Sequence, residues 1–158
     1  MDSYAKLLEL LDRHGARYRL IDHPPEGRTE IVSAFRGHAP SQAAKCLLLM
    51  VKIGKKVTRH VLCVVPGDSK IDFAAVKDLF GATYVAFATP TLAEELAGSV
   101  SGTILPFSFR PDLELLADPA VLANAEIFFN AARLDRSMAL STADWTAVAK
   151  PRVERIAG

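Results

Sequence analysis

Residues 46–65 read CLLLMVKIGKKVTRHVLCVV, two apolar runs separated by a glycine and two lysines at positions 54–56. Each run is short, rich in aliphatic residues and bounded by turn-forming residues, which is typical of buried β-strands. We therefore predict a β-hairpin with strands over Cys46–Val51 and Val57–Val65 and with its turn at residues 54–56.

Helical and strand patterns continue on both sides of the hairpin. Leucines at helical spacing predict a helix over residues 2–14, and a strand follows over Tyr18–Asp22. Two prolines and a glycine make residues 23–28 a rigid loop, after which a short helix runs from Thr29 to Gly37. Beyond the hairpin, the patterns predict helices over 72–80, over about 91–97 and after Ser141, and strands over 113–116, 126–129 and 137–140.

This order of elements indicates the fold class. The chain has 158 residues, shows no linker and no repeat, and suits one compact domain. We predict a single mixed α/β domain over residues 1–158, with a curved sheet and helices around it. The glycine-containing stretch Gly98–Phe107 is predicted to be an ordered loop that enters a short strand.

Composition excludes several classes of function. The net charge of +1, from 19 basic and 18 acidic residues, argues against general DNA or RNA packaging, which needs a strongly basic surface. It does not exclude a protein that grips only the end of a nucleic acid. There is no signal-peptide pattern and no apolar run of membrane-spanning length, so we expect a cytoplasmic protein that binds neither membrane nor DNA.

The residues of a metal site or a thiol nucleophile are not in the required spacing. The four histidines, His14, His23, His38 and His60, form no zinc-protease pair, and neither cysteine lies near enough to a pair to complete a ligand set. Cys63 is three residues from His60 in a predicted strand, so their side chains point to opposite faces. We expect no metal and no cofactor, and we interpret Cys46 and Cys63 as core residues.

Three features could carry chemistry, although each also has a purely structural explanation. Lys45 stands at the opening of a very apolar strand, where it is either a solvated strand edge or a functional charge. Glycines in the loop Gly98–Phe107 would let a ligand approach the backbone closely. Asn130 emerges from a buried strand, at a place that suits either a site residue or an ordinary turn.

Four segments resemble the YbaK/ProX family of aminoacyl-tRNA deacylases, relatives of the editing insertion of bacterial prolyl-tRNA synthetases. They are His23-Pro-Pro with Thr29, APSQAAKCLLL at 39–49, GTILPF at 102–107, and IFFNAAR at 127–133 followed by Ser137. The four segments occur in the family's order and at similar separations, and together they span nearly the whole chain. Members often carry glycine where this chain has Ser108, and some carry Ser and Asp where it has Asn130 and Ser137, which leaves the amino-acid preference open.

The resemblance implies a fold, a reaction and a set of site residues. The fold is a curved mixed, barrel-like β-sheet surrounded by helices. The reaction is trans-editing: hydrolysis, without a cofactor, of the ester of tRNA mischarged with a small amino acid such as Ala, Ser, Thr or a small non-protein residue. Lys45 would grip the terminal adenosine or phosphate at the 3′ end, and the Gly102 backbone would place the water or the ribose hydroxyl. His23, Thr29, Pro106, Asn130 and Ser137 would form the substrate pocket.

The family also suggests a synthetase, such as prolyl-tRNA synthetase, as a partner. The alternatives are a non-catalytic module that binds a nucleotide or aminoacyl-tRNA, and a metal- or thiol-dependent hydrolase of another class. Hydrolysis of mischarged tRNA separates the first alternative from an editing enzyme, whereas a chelator and cysteine variants separate the second.

Overall fold

The hairpin predicted from residues 46–65 is the centre of the larger of two β-sheets. The computed structural model describes residues 2–158, which form five α-helices, two short 3-10 helices and eight strands. The helices are α1 (Ser3–Arg13), α2 (Thr29–Arg36), α3 (Phe73–Phe80), α4 (Pro90–Ala97) and α5 (Thr142–Ala149), with 3-10 turns at Pro40–Gln42 and Pro119–Ala123. The strands are β1 (Tyr18–Asp22), β2 (Ala44–Ile53), β3 (Val57–Pro66), β4 (Tyr84–Phe87), β5 (Leu113–Ala117), β6 (Glu126–Asn130), β7 (Arg136–Ser141) and β8 (Arg152–Val153).

The larger sheet is mixed and is covered on both faces. Its strand order is β4-β2-β3-β5-β8, with β2 and β3 antiparallel and β3 and β5 parallel. Alternate residues of β3 pack into two separate cores: Leu62 and Val64 into one, Val61, Cys63 and Val65 into the other. Because both faces are buried here, the second half of β3, Val61–Val65, is continuously apolar and does not alternate with polar residues.

The smaller sheet is antiparallel, in the order β1-β7-β6, and it shares one core with the larger sheet. One isolated parallel bridge, Ala43 to Phe128, connects the two sheets. The predicted mixed α/β class is confirmed, but the strands form two sheets where one curved sheet was expected. The described residues form no closed barrel, so the barrel-like detail is not confirmed.

Three local predictions differ from the structure. The edge strands β4 and β8 were not predicted; β4 has only four residues and pairs with the distant β2 at Leu49–Lys52. The short strand expected at the end of Gly98–Phe107 was wrong, since the next strand after this loop begins at Leu113. Side-chain anchors, described below, hold the loop in place of a strand ladder. Within residues 2–158, no helix combines the length and apolarity needed to cross a lipid bilayer.

Candidate active site

A cavity of about 230 Å³ lies where β2 begins, between the loops that precede α2 and follow α4. It brings together four residues that the sequence analysis named, although they are far apart in the chain: Thr29, Lys45, Gly102 and Asn130. Gly27, Ala44, Cys46, Leu47, Ile104 and Phe129 complete the lining. The described lining contains one ionisable ammonium group and no carboxylate.

Lys45 is half-buried near the start of β2. It pairs with Val65 on β3, near the start of a strand that has neighbours on both sides further along. Its Nζ donates to the carbonyl oxygen of Ser69, and within residues 2–158 it forms no ion pair. An ammonium group has three donors, so two remain for a phosphate or another anionic group in the cavity.

The loop between α4 and β5 presents Gly102 in a conformation that requires glycine. Its φ is +86°, and a Cβ at this position would lie 3.0 Å from Cα of Gly27. Two loops therefore meet backbone to backbone at the edge of the cavity. The Gly102 N–H donates to no backbone or side-chain acceptor among the described residues.

Two side-chain hydrogen bonds hold this loop, one to the rest of the domain and one within the loop itself. The buried indole of Trp145 donates from Nε1 to the carbonyl of Pro106 at 2.8 Å, and Thr103 Oγ1 donates to Val100 O at 2.6 Å. Pro106 is buried and does not line the cavity, contrary to what a direct role in substrate binding would require. Its position instead suits a residue that holds the loop.

Asn130 uses the full hydrogen-bonding capacity of its amide inside the protein. Its Nδ2 donates to Glu26 O at 2.9 Å and to Gly102 O at 2.8 Å, which joins the two loops. Its Oδ1 lies 2.9 Å from both Ser137 Oγ and Arg36 Nη2. A side-chain amide has two donors and two acceptor positions, so none is left for a ligand.

Ser137 and His23 lie behind Asn130, outside the cavity lining. Ser137 is fully buried, and its Oγ is 2.6 Å from His23 Nε2. The other ring nitrogen of His23 is 2.9 Å from Pro24 O. These two predicted residues therefore belong to a polar network that supports the cavity wall.

Sequence reasoning missed Arg36, the charged member of this network. Its Nε donates to Ser137 Oγ at 2.7 Å and its Nη2 donates to Asn130. Burial lowers the pKa of Arg36 to about 10, so the guanidinium remains charged at neutral pH. Basic residues are common in the last turn of a helix, where a solvated charge complements the helix dipole. The sequence pattern therefore did not indicate a buried role for Arg36.

The cysteines and histidines do not form a second candidate site. Cys63 is fully buried as predicted, whereas Cys46 is half-buried and lines the cavity. Burial raises the pKa of the Cys63 thiol to about 12 and also raises that of Cys46, so neither is a thiolate at neutral pH. Residues 2–158 contain no group of three His, Cys, Asp or Glu side chains close enough to hold a metal ion.

A larger depression of about 870 Å³ lies between β1 and α5. Its two arginines are already neutralised, Arg17 by Asp144 at 2.9 Å and Arg19 by Glu126 at 3.4 Å. It offers an anion no unpaired charge of the kind that Lys45 provides. We therefore place the candidate site in the smaller cavity.

The cavity therefore combines a cation that has no carboxylate partner with the backbone of a glycine loop. Residues 23–148 match the family model of the aminoacyl-tRNA editing domain. The chain belongs to this family of aminoacyl-tRNA deacylases.

Two relatives at the sequence level come from bacteria. The chain is 40% identical over 152 residues to the multifunctional Ser/Thr-tRNA deacylase ProXp-y of Escherichia coli (strain K12), covering 96% of this chain and 90% of the relative. It is 32% identical over 114 residues to the proline–tRNA ligase of Bacillus licheniformis. That match covers 72% of this chain but only 19% of the ligase, so this chain corresponds to one segment of the larger enzyme.

Solved structures of low identity share the fold. The hypothetical protein APE2540 superposes with a TM-score of 0.86 at 21% identity, covering 97% of this chain and 99% of that one. A candidate trans-editing enzyme for prolyl tRNA synthetase superposes with a TM-score of 0.81 at 19% identity, covering 100% and 98%. These likenesses show that the fold is shared.

Proposed function

We propose that this protein is a free-standing editing hydrolase that cleaves the ester between a small amino acid and the terminal ribose of a mischarged tRNA. The observation that carries the proposal is the cavity in which Lys45 and the glycine loop at Gly102 meet. Family membership supplies the substrate class, and the geometry suggests how the chain's own residues act on it.

The chemistry requires positioning more than activation. The ester carbonyl is attacked by water, the tetrahedral intermediate collapses, and the C–O bond to the ribose breaks to release the amino acid and the free hydroxyl. Lys45 contributes its two free N–H donors to the phosphate or sugar of the terminal adenosine. The Gly102 N–H, which has no described partner, orients the water or the ribose hydroxyl.

Selectivity follows from the size of the cavity and from its apolar wall. Its volume of about 230 Å³ is below the range of about 300–1,000 Å³ typical of drug-sized ligands, so it suits a small aminoacyl group. Leu47, Ile104 and Phe129 form the apolar part of the wall. A second pocket of this kind removes amino acids that a synthetase cannot reject by binding alone, and it excludes larger correct ones.

A panel of mischarged tRNAs tests this function. We expect purified protein to release alanine, serine or threonine from at least one tRNA that should carry a different amino acid, with alanine on proline tRNA tested first. Because the Escherichia coli relative is named as a Ser/Thr-tRNA deacylase, serine and threonine are the next substrates to test. Correctly charged prolyl-tRNA is the control and should be hydrolysed no faster than in buffer. Failure on the whole panel, with tRNA binding retained, would favour a non-catalytic binding module.

A second prediction separates this mechanism from thiol or metal hydrolysis. The double variant Cys46→Ala/Cys63→Ala should retain activity within about threefold, because neither thiol is ionised at neutral pH. Preincubation with EDTA should have a similarly small effect. The measurement is kcat/KM at a temperature where circular dichroism shows the variant folded. A hundredfold loss in the folded variant, or after EDTA, would contradict the proposed mechanism.

We further propose that the protein acts in the cytoplasm on the 3′ end of aminoacyl-tRNA. A synthetase such as prolyl-tRNA synthetase is the partner that this relationship suggests, because the Bacillus ligase carries a homologous segment within its own chain. Size-exclusion chromatography of the two purified proteins, with and without tRNA, would detect such a complex.

A further inference from the structure

Arg36 is a half-buried cation that bonds only neutral groups. Its two side-chain partners are the hydroxyl of Ser137 and the amide oxygen of Asn130, and it takes part in no ion pair within residues 2–158. Removing a charge from water without an opposite charge costs free energy. Burial accordingly lowers the pKa of Arg36, with no compensating carboxylate. A residue that served stability alone would be better as an apolar side chain of similar size.

The donors of Arg36 match only one orientation of the Asn130 amide. A guanidinium has N–H donors and no acceptor, so only the oxygen end of the amide can lie against it. The NH₂ end must then point away, toward the carbonyls of Glu26 and Gly102. A neutral side chain at position 36 would remove one of the two donors to Asn130 Oδ1, so fewer hydrogen bonds would hold the amide against these two carbonyls.

The amide holds the two loops of the cavity at their point of contact. Glu26 precedes Gly27, whose Cα would be only 3.0 Å from a Cβ at Gly102. The NH₂ group of Asn130 therefore donates to both loops at the point where their backbones meet. If the amide moved, the carbonyl of Gly102 would lose its hydrogen bond to Asn130. Gly102 lines the cavity, whereas Arg36 does not.

We propose that Arg36 is a positioning residue for deacylation: through the Asn130 amide it fixes the Gly102 backbone, without touching the substrate. This inference rests on the proposed function. It also assigns Asn130 and Ser137 to support of the cavity wall, in place of the direct substrate contacts that the sequence resemblance implied.

The test compares Arg36→Met with Arg36→Lys on a mischarged tRNA that the wild-type protein hydrolyses. Because Arg36 acts through the wall, we expect Arg36→Met to lower kcat by about 30-fold with KM within about twofold, the pattern of a lost transition-state contact. Arg36→Lys, which keeps a charged donor, should recover a large part of kcat. The thermal midpoint of Arg36→Met should equal or exceed that of the wild type. Arg110→Met, which removes an exposed arginine paired with Asp112, is the matched control and should change neither constant.

A second readout does not depend on activity. The two Nδ2 protons of Asn130 should exchange slowly with water in the wild type, and at least about tenfold faster in Arg36→Met, since protection requires the closed hydrogen-bonded state. Nuclear magnetic resonance of the side-chain amide measures this. Unchanged kcat in Arg36→Met, unchanged amide exchange, or a rise in KM alone would each overturn the inference. Absence of hydrolysis by the wild type, with the exchange difference present, would instead count against the proposed function.

Discussion

Replacing Lys45 with alanine is expected to lower kcat/KM for a mischarged tRNA by about 100-fold, the effect of losing one or two hydrogen bonds from a charged donor. The cavity contains no second cation among its described lining residues, so no neighbour can take over the contact. The variant Lys45→Arg should recover little of this activity. The ammonium group of Lys45 is compact and bonds to the Ser69 carbonyl, whereas the guanidinium of arginine is a wider planar group.

Lys52→Ala is the matched control, because Lys52 lies on the same strand but its side chain is exposed. It should hydrolyse mischarged tRNA at the wild-type rate. Both variants should be compared by denaturant unfolding, since Lys45→Ala also loses the bond to Ser69. If folded Lys45→Ala kept activity within about threefold of wild type, the assignment of Lys45 to the site would be wrong, since a lost charged contact costs tenfold or more.

The contrast between Lys45 and Arg36 shows how far the sequence could lead. Lys45 interrupts the start of an apolar strand, so the pattern singled it out even before a family was considered. Arg36 ends an amphipathic helix, where a charge is ordinary. Its partners Asn130 and Ser137 are on β6 and β7, about a hundred positions away, and no local pattern encodes that contact.

The same distinction applies to the fold. The β2–β3 hairpin was predictable because its pairing is local and its turn residues stand between the strands. The edge strand β4 was not, because its four residues become a strand only by pairing with the distant β2. The division into two sheets was also not predictable, since it depends on which distant strands pair, such as β1 with β7 and β3 with β5.

Among the glycines, Gly67 is the one at which an added Cβ would meet the closest contacts. This buried glycine follows β3, and its N–H donates to Ala43 O at 3.0 Å. A Cβ added there would lie 2.5 Å from the carbonyl oxygen of Pro40 and 2.6 Å from Cγ2 of Thr29. The first of these atoms belongs to the backbone, so it cannot turn aside as a flexible side chain could.

Gly67→Ala should therefore reduce the free energy of unfolding by about 3 kcal/mol, the upper end of the usual cost of overpacking. For a chain of this size, that corresponds to a fall in Tm of about 10 °C. Gly81→Ala is the control, because Gly81 has a φ of 59° but nothing within 4 Å of an added Cβ. Its cost should be only that of the left-handed backbone, about 1–2 kcal/mol.

Urea unfolding of the two variants separates steric conflict from backbone strain. Gly67 does not have the left-handed φ of Gly81, so alanine would lose nothing in backbone preference there and would even stabilise the folded state by restricting the unfolded chain. An excess cost at Gly67 must then come from the contacts with Pro40 and Thr29. If Thr29 moves to avoid the added methyl group, the wall of the cavity moves with it, because Thr29 lines the cavity. Gly67→Ala should therefore lose deacylation activity at temperatures where it is still folded. Equal costs for the two variants would show that the backbone around Pro40 yields freely, and that the close packing behind the cavity is not what holds Thr29 in place.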